Sequence, residues 1–130
     1  MDLILRLGGR QNDIQQVVKL TQLRPYRVDD EKPNQLRMGC LHFDIGGTKP
    51  LSDSESIAAL KRFVQENEAF LSGVQKFADL ITRDIDVGII MPSDIVAKSL
   101  SLDAELLALL SQFGLSITIS VYKGSEEESA

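Results

Sequence analysis

Three side chains able to do chemistry fall at every second position of one short stretch: Cys40, His42 and Asp44 in "GCLHFDI". In an extended strand, residues two apart share a face about 7 Å apart, so thiol, imidazole and carboxylate would line up on one side. A cysteine beside a histidine is the arrangement of an activated thiolate, and the three together are a partial metal-ligand set. Two features argue against both. His42 is the single histidine and Cys40 the single cysteine of the chain, so no second imidazole or thiol completes a metal set. Side chains two apart on a flat strand also splay rather than converge, which is poor geometry for sharing a proton or an ion. The stretch therefore reads as a half-buried cysteine and a hydrogen-bonded histidine on a sheet surface, with no catalytic residue, no metal and no cofactor.

The overlapping stretch "FDIGGTKP", Phe43 to Pro50, resembles the Asp-Ile-Gly-Gly-Thr-Lys signature of ROK-type sugar kinases. There the glycines let backbone amides and the threonine hydroxyl approach phosphate. Here the motif follows the second predicted strand, "PLSDSES" leads straight towards a helix, and 130 residues leave no room for two large lobes. A Walker loop is excluded as well, because Pro50 rather than Ser or Thr follows Lys49. The glycines read as a turn. Arg24, Arg27 and Arg37, with Lys32, bracket the acidic Asp29 to Glu31. This mixed-sign cluster is a candidate anion site on a solvated loop.

Periodicity identifies the elements that must position these residues. In "DLILRLGG", Leu3, Leu5 and Leu7 alternate with Ile4 and Arg6, which predicts a strand with one face on a core, ended by Gly8 and Gly9. Ile14, Val17 and Val18, with Leu20 or Thr21, predict a short helix that Pro25 stops. "RPYRVDDEKPNQ", Arg24 to Gln35, predicts an exposed irregular loop. A second strand follows with Leu41, Phe43 and Ile45 inward. Ser52 and Glu55 form a capping box, so a helix starts at about Asp53. Its stripe of Ile57, Leu60, Phe63 and Val64 continues through Phe70, Leu71, Val74, Phe77, Ala78 and Ile81, with any break near Asn67 or Gly73.

Ile85, Val87, Ile89 and Met91 alternate with Asp86, Gly88 and Ile90 in a third strand closed by Pro92. Ser101 is the expected cap of a leucine-rich helix carrying Leu102, Leu106, Leu109, Leu110 and Phe113, ended by Gly114. In "LSITISVY" a last strand turns Ile117, Ile119 and Val121 inward and Ser116, Thr118, Ser120 and Tyr122 outward.

Alternating strands separated by helices predict an α+β two-layer sandwich: an about four-stranded mixed sheet, order β-α-β-α(α)-β-α-β, with helices packed on one face. Residues 1 to 123 form the single domain, and Gly124 to Ala130, rich in glutamate, a disordered acidic tail. The open face would carry Arg6, Cys40, His42, Asp44, Asp86, Ile90, Thr118, Ser120 and Tyr122. Of these, Arg6, Cys40, His42, Asp44, Asp86, Thr118 and Tyr122 are the first candidate binding surface, and the loop arginines Arg24, Arg27 and Arg37 the second.

Composition narrows the class. With 43% apolar and 25% charged residues the chain is ordinary globular material, and no apolar run approaches the roughly 20 residues of a membrane helix. "MDLILRLGG" shows no export signal. A lone cysteine suits a reducing compartment, so a cytoplasmic location is expected. The net charge of -5 disfavours nucleic acid and anionic membranes as partners.

The strand ending in Gly8-Gly9 with its helix running to "LTQLRP", the paired central helices, and above all "LSLDAELLALLSQFGLSITISVY" resemble a bacterial family, the domain of unknown function numbered four-two-seven-nine. That family shows a serine-led leucine-rich helix, a glycine stop and a final strand ending in tyrosine, matched here by Ser101, Leu106, Leu109, Gly114 and Tyr122. Ser120 stands where members often carry an acid, and strand two lacks the family's tryptophan. The resemblance implies a small bacterial α+β domain without an enzyme's site and brings no catalytic residues.

The expectation is then a non-enzymatic bacterial domain that contacts a protein partner or a second copy of itself through its open sheet face or the Arg24 to Gln35 loop. Three alternatives stand beside it. They are a small-ligand or anion sensor with a pocket at the sheet edge near Gly8, Arg24 and Gly46, an immunity protein that neutralises a toxin, and an enzyme using Cys40 and His42.

Overall fold

The leucines at positions 3, 5 and 7 do what their spacing demands. They are 1% exposed or less and lie on one side of β1 (Asp2–Gly9), the central strand of the sheet. The computed structural model describes residues 1 to 47 and 51 to 124. β1 pairs antiparallel with β3 (Gly39–Asp44) on one side and β4 (Thr82–Met91) on the other. A short β2 (Arg27–Asp29) extends the sheet beyond β3, again antiparallel, and β5 (Ser116–Lys123) runs parallel to β4 at the opposite edge. The order is β2-β3-β1-β4-β5.

The helices are α1 (Gln11–Val18), α2 (Asp53–Glu66), α3 (Glu68–Val74) and α4 (Ala104–Gln112). Ile14, Val17, Leu60, Val64, Leu71, Val74, Leu106 and Leu110 pack with Leu5, Leu41, Phe43, Ile85 and Val87 in one core. The buried apolar residues of β1, β3 and β4 are all odd-numbered, so among the described residues the helices cover one sheet face. That is the two-layer α+β sandwich the alternation predicts. Phe43 and Phe70 meet edge to face at 6.0 Å between ring centres, tying sheet to helix layer.

Local chemistry sets the helix ends. Ser52 and Glu55 form the reciprocal capping box, at 3.2 and 3.1 Å. Asn67 separates α2 from α3, its side-chain amide donating to the Phe63 carbonyl at 2.8 Å and so competing with the helix ladder. α4 is capped by Asp103, which accepts from the Leu106 amide at 2.8 Å, and not by Ser101. A carboxylate two residues further on does the same work and adds charge at the positive end of the helix. Gly114 leaves the helix at φ +66°, a conformation that favours glycine.

Five other expectations need correction. The sheet has five strands, because Arg27–Asp29 of the supposed loop adds to β3. The stripe beyond Val74 is not helix, and Ile81 is 70% exposed. α1 ends at Val18, leaving Leu20 exposed. Ile119 and Val121 of β5 are not buried but 48% and 59% exposed, since the helix layer stops short of this edge. Gly124, assigned to the tail, donates its amide to the Met91 carbonyl and prolongs the ladder. The rest of the predicted tail, 125 to 130, lies outside the described residues.

Candidate functional site: the open sheet face

The register decides which side chains meet. Arg6 stands opposite His42 on β3 and Asp84 on β4, and His42 opposite Arg27 on β2. Arg6 grips Asp84 with two bonds, Nε to Oδ1 at 2.9 Å and Nη2 to Oδ2 at 2.6 Å. Thr118 Oγ1 donates to the same Oδ2 at 2.6 Å. Asp84 is 7% exposed. Burial works to raise its pKa, but the Arg6 and Thr118 bonds outweigh it and hold the carboxyl below the ordinary range. The bond to Asp84 raises Arg6 in turn.

A second group abuts the first. His42 Nε2 lies 3.0 Å from Asp29 Oδ2, and Arg27 Nε donates to Asp29 Oδ1 at 3.0 Å. The His42 bond first, then Arg27, lowers the Asp29 pKa. The Tyr26 ring lies 6.1 Å from the His42 ring. Ser120 Oγ donates to Asp86 Oδ1 at 2.9 Å. The ring of Tyr122 lies over Gly88, where a side chain on residue 88 would touch it.

Arg6, Cys40, His42, Asp44, Asp86, Thr118, Ser120 and Tyr122 therefore share one face. Cys40 and His42, however, are not engaged with each other. The thiol's polar contact is the Leu41 carbonyl at 3.7 Å, while the imidazole is turned to Asp29. Burial, followed by the nearby Asp29 charge, pushes the Cys40 thiol up, away from thiolate. Asp44 is exposed opposite Ile4 and joins neither group. Among the described residues no three His, Cys, Asp or Glu side chains gather as a metal would need.

Sequence reasoning missed Asp84 and Asp29. Asp84 has the parity of Asp86 and lies two residues before it on β4, a signal that was there to read. Asp29 was hidden because three residues between charged neighbours do not announce a strand. Of the loop arginines, Arg27 and Arg37 line a hollow of about 510 Å³ with Asp29, Asp30 and Lys32, and Arg24 is not among its lining residues. Gly8 and Gly46, two of the residues near which a pocket was expected, stand towards opposite ends of β3. Gly8 pairs with Cys40 near the start of β3, whereas Gly46 lies beyond that strand's end at Asp44. Thr48 and Lys49 of the kinase-like stretch are outside the described residues.

No described helix is long and apolar enough to cross a membrane. No family model matches the chain, and neither a curated protein nor a solved structure matches it.

Proposed function

We propose that the chain is a non-catalytic protein-interaction module whose sheet, rather than a pocket, is its working surface. One observation carries this reading: Arg6 is bonded to Asp84, and Arg27 and His42 to Asp29, across the open face, while large apolar side chains around them stand in solvent. Tyr26 and Tyr122 are each 57% exposed and Ile90 45%. Exposed aromatic and aliphatic groups beside prepaired charges suit contact with a protein, where aromatic anchors supply much of the binding energy. Nucleophile chemistry finds less support, since Cys40 is held as thiol and His42 is engaged elsewhere.

The partner in this reading is a protein, either another polypeptide or a second copy, met in a bacterial cytosol. The lone cysteine suits that setting, and the net charge of -5 disfavours nucleic acid. Membership of the bacterial family that the C-terminal third resembles is part of the same proposal. The test is a photo-reactive phenylalanine analogue placed at Tyr122, and separately at Tyr26, in cells making the full chain. A discrete protein adduct from either position is the expected result. Absence of any adduct from both, with the protein folded, would sink the reading.

A further inference from the structure

Resting on that reading, we infer that the partner surface is the outer edge of β5, which pairs with no further strand among the described residues, and that its occupant is a second copy of this chain, paired antiparallel across a two-fold axis. An edge strand presents a row of unpaired amides and carbonyls, and proteins guard such rows with charges, proline, bulges or brevity. The two edges of this sheet differ in that respect. β2 has three residues, two of them charged, with Pro25 just before it. β5 has eight residues, and from Ser116 to Tyr122 it contains no charge, no proline and no glycine. On its helix side Ile119 and Val121 are 48% and 59% exposed, beside Leu107 of α4 at 47%. Between α4 and β5 lies a hollow of about 620 Å³ lined by Leu107, Leu110, Ile117 and Ile119 among others.

The strand is complementary to itself. A two-fold axis normal to the sheet keeps both helix layers on the same side, so opposed residues must share parity. Centring the axis on Ile119 sets Ile119 against its own copy, Ile117 against Val121, Thr118 against Ser120 and Ser116 against Tyr122. Every apolar residue then faces an apolar one and every polar residue faces serine, threonine or tyrosine hydroxyl. The single charge of β5, Lys123, falls opposite the apolar Leu115 rather than another cation. For a chain of net charge -5, this neutral strand is where two copies approach with least repulsion. Antiparallel pairing also sends the two Gly124 residues, after which the acidic sequence begins, to opposite ends of the joint. The product is a continuous sheet of ten strands, five from each copy, with an isologous interface.

The test is molar mass by light scattering across a protein concentration series for wild type, Ile119→Lys, Ile119→Glu, and an equal mixture of the two variants. The wild type is expected to be a dimer. Each variant alone, with a like charge opposed to itself, is expected to be a monomer, and the mixture to restore the dimer. A Leu36→Lys control at the other side of the sheet should leave the wild-type mass unchanged. A wild type that stays monomeric overturns the inference, as does a dimer that survives Ile119→Lys or is split by Leu36→Lys. If the variants fail to fold, amide exchange of the wild type decides. Protection of β5 that grows with concentration supports the pairing, and independence of concentration overturns it. A monomeric wild type that still yields an adduct with a different polypeptide from Tyr122 or Tyr26 would remove this inference alone, leaving the interaction reading in place.

Discussion

Replacing Asp84 by alanine removes one acceptor and three bonds: those from Arg6 at 2.9 and 2.6 Å and from Thr118 at 2.6 Å. The side chains of Arg6 and Asp84 are 29% and 9% exposed, so the pair lies between two known cases. A surface ion pair is worth about 0–1 kcal/mol, whereas removing one partner of a buried pair costs about 3–5 kcal/mol. Because Arg6 reaches water once its partner is gone, the expected loss is about 2 kcal/mol at neutral pH. For a chain of this length that is about 7 °C in Tm.

The pH dependence has a definite sign. The folded Asp84 pKa is depressed, so its contribution is complete above the unfolded value of about 3.9 and is lost as pH falls through the folded one. Urea unfolding followed by circular dichroism, at one protein concentration and a series of pH values, should show a gap between wild type and Asp84→Ala that is constant above about pH 5 and narrows below about pH 4. A cycle with Arg6→Ala should give a coupling of about 1–2 kcal/mol. A gap that is unchanged at low pH, or a coupling indistinguishable from zero, would refute the claim that this pair is a stabilising element of the face.

Cys40 should react with iodoacetamide more slowly than a free thiol at neutral pH, with a rate inflection above the ordinary value of about 8.5, because burial raises its pKa. Fast alkylation at neutral pH would revive a nucleophile on this strand. Ser52→Ala should destabilise by about 1 kcal/mol in urea unfolding and Asp103→Ala should destabilise as well, as lost helix caps, whereas Ser101→Ala should change stability by less than about 0.5 kcal/mol. Equal losses at Ser101 and Asp103 would contradict the assignment of the α4 cap.

Much of the architecture is local and was legible in the residues. Alternation placed Leu3, Leu5, Leu7, Leu41, Phe43, Ile85 and Val87 in a one-sided core, and the capping box started α2 where Ser52 and Glu55 say it should. Parity likewise put Arg6, Cys40, His42, Asp86 and Thr118 on a common face, since a strand's two-residue period fixes sidedness without reference to any neighbour. Which of those side chains touch is a matter of strand order and register, and these are set between segments far apart in the chain. The Arg6–Asp84 grip spans 78 residues, and the His42 bond to Asp29 exists because a three-residue strand docks on β3. The exposure of Ile119 and Val121 is decided the same way: their pattern is that of buried residues, but burial needs a covering element, and the fold sets β5 at an edge where the helix layer ends.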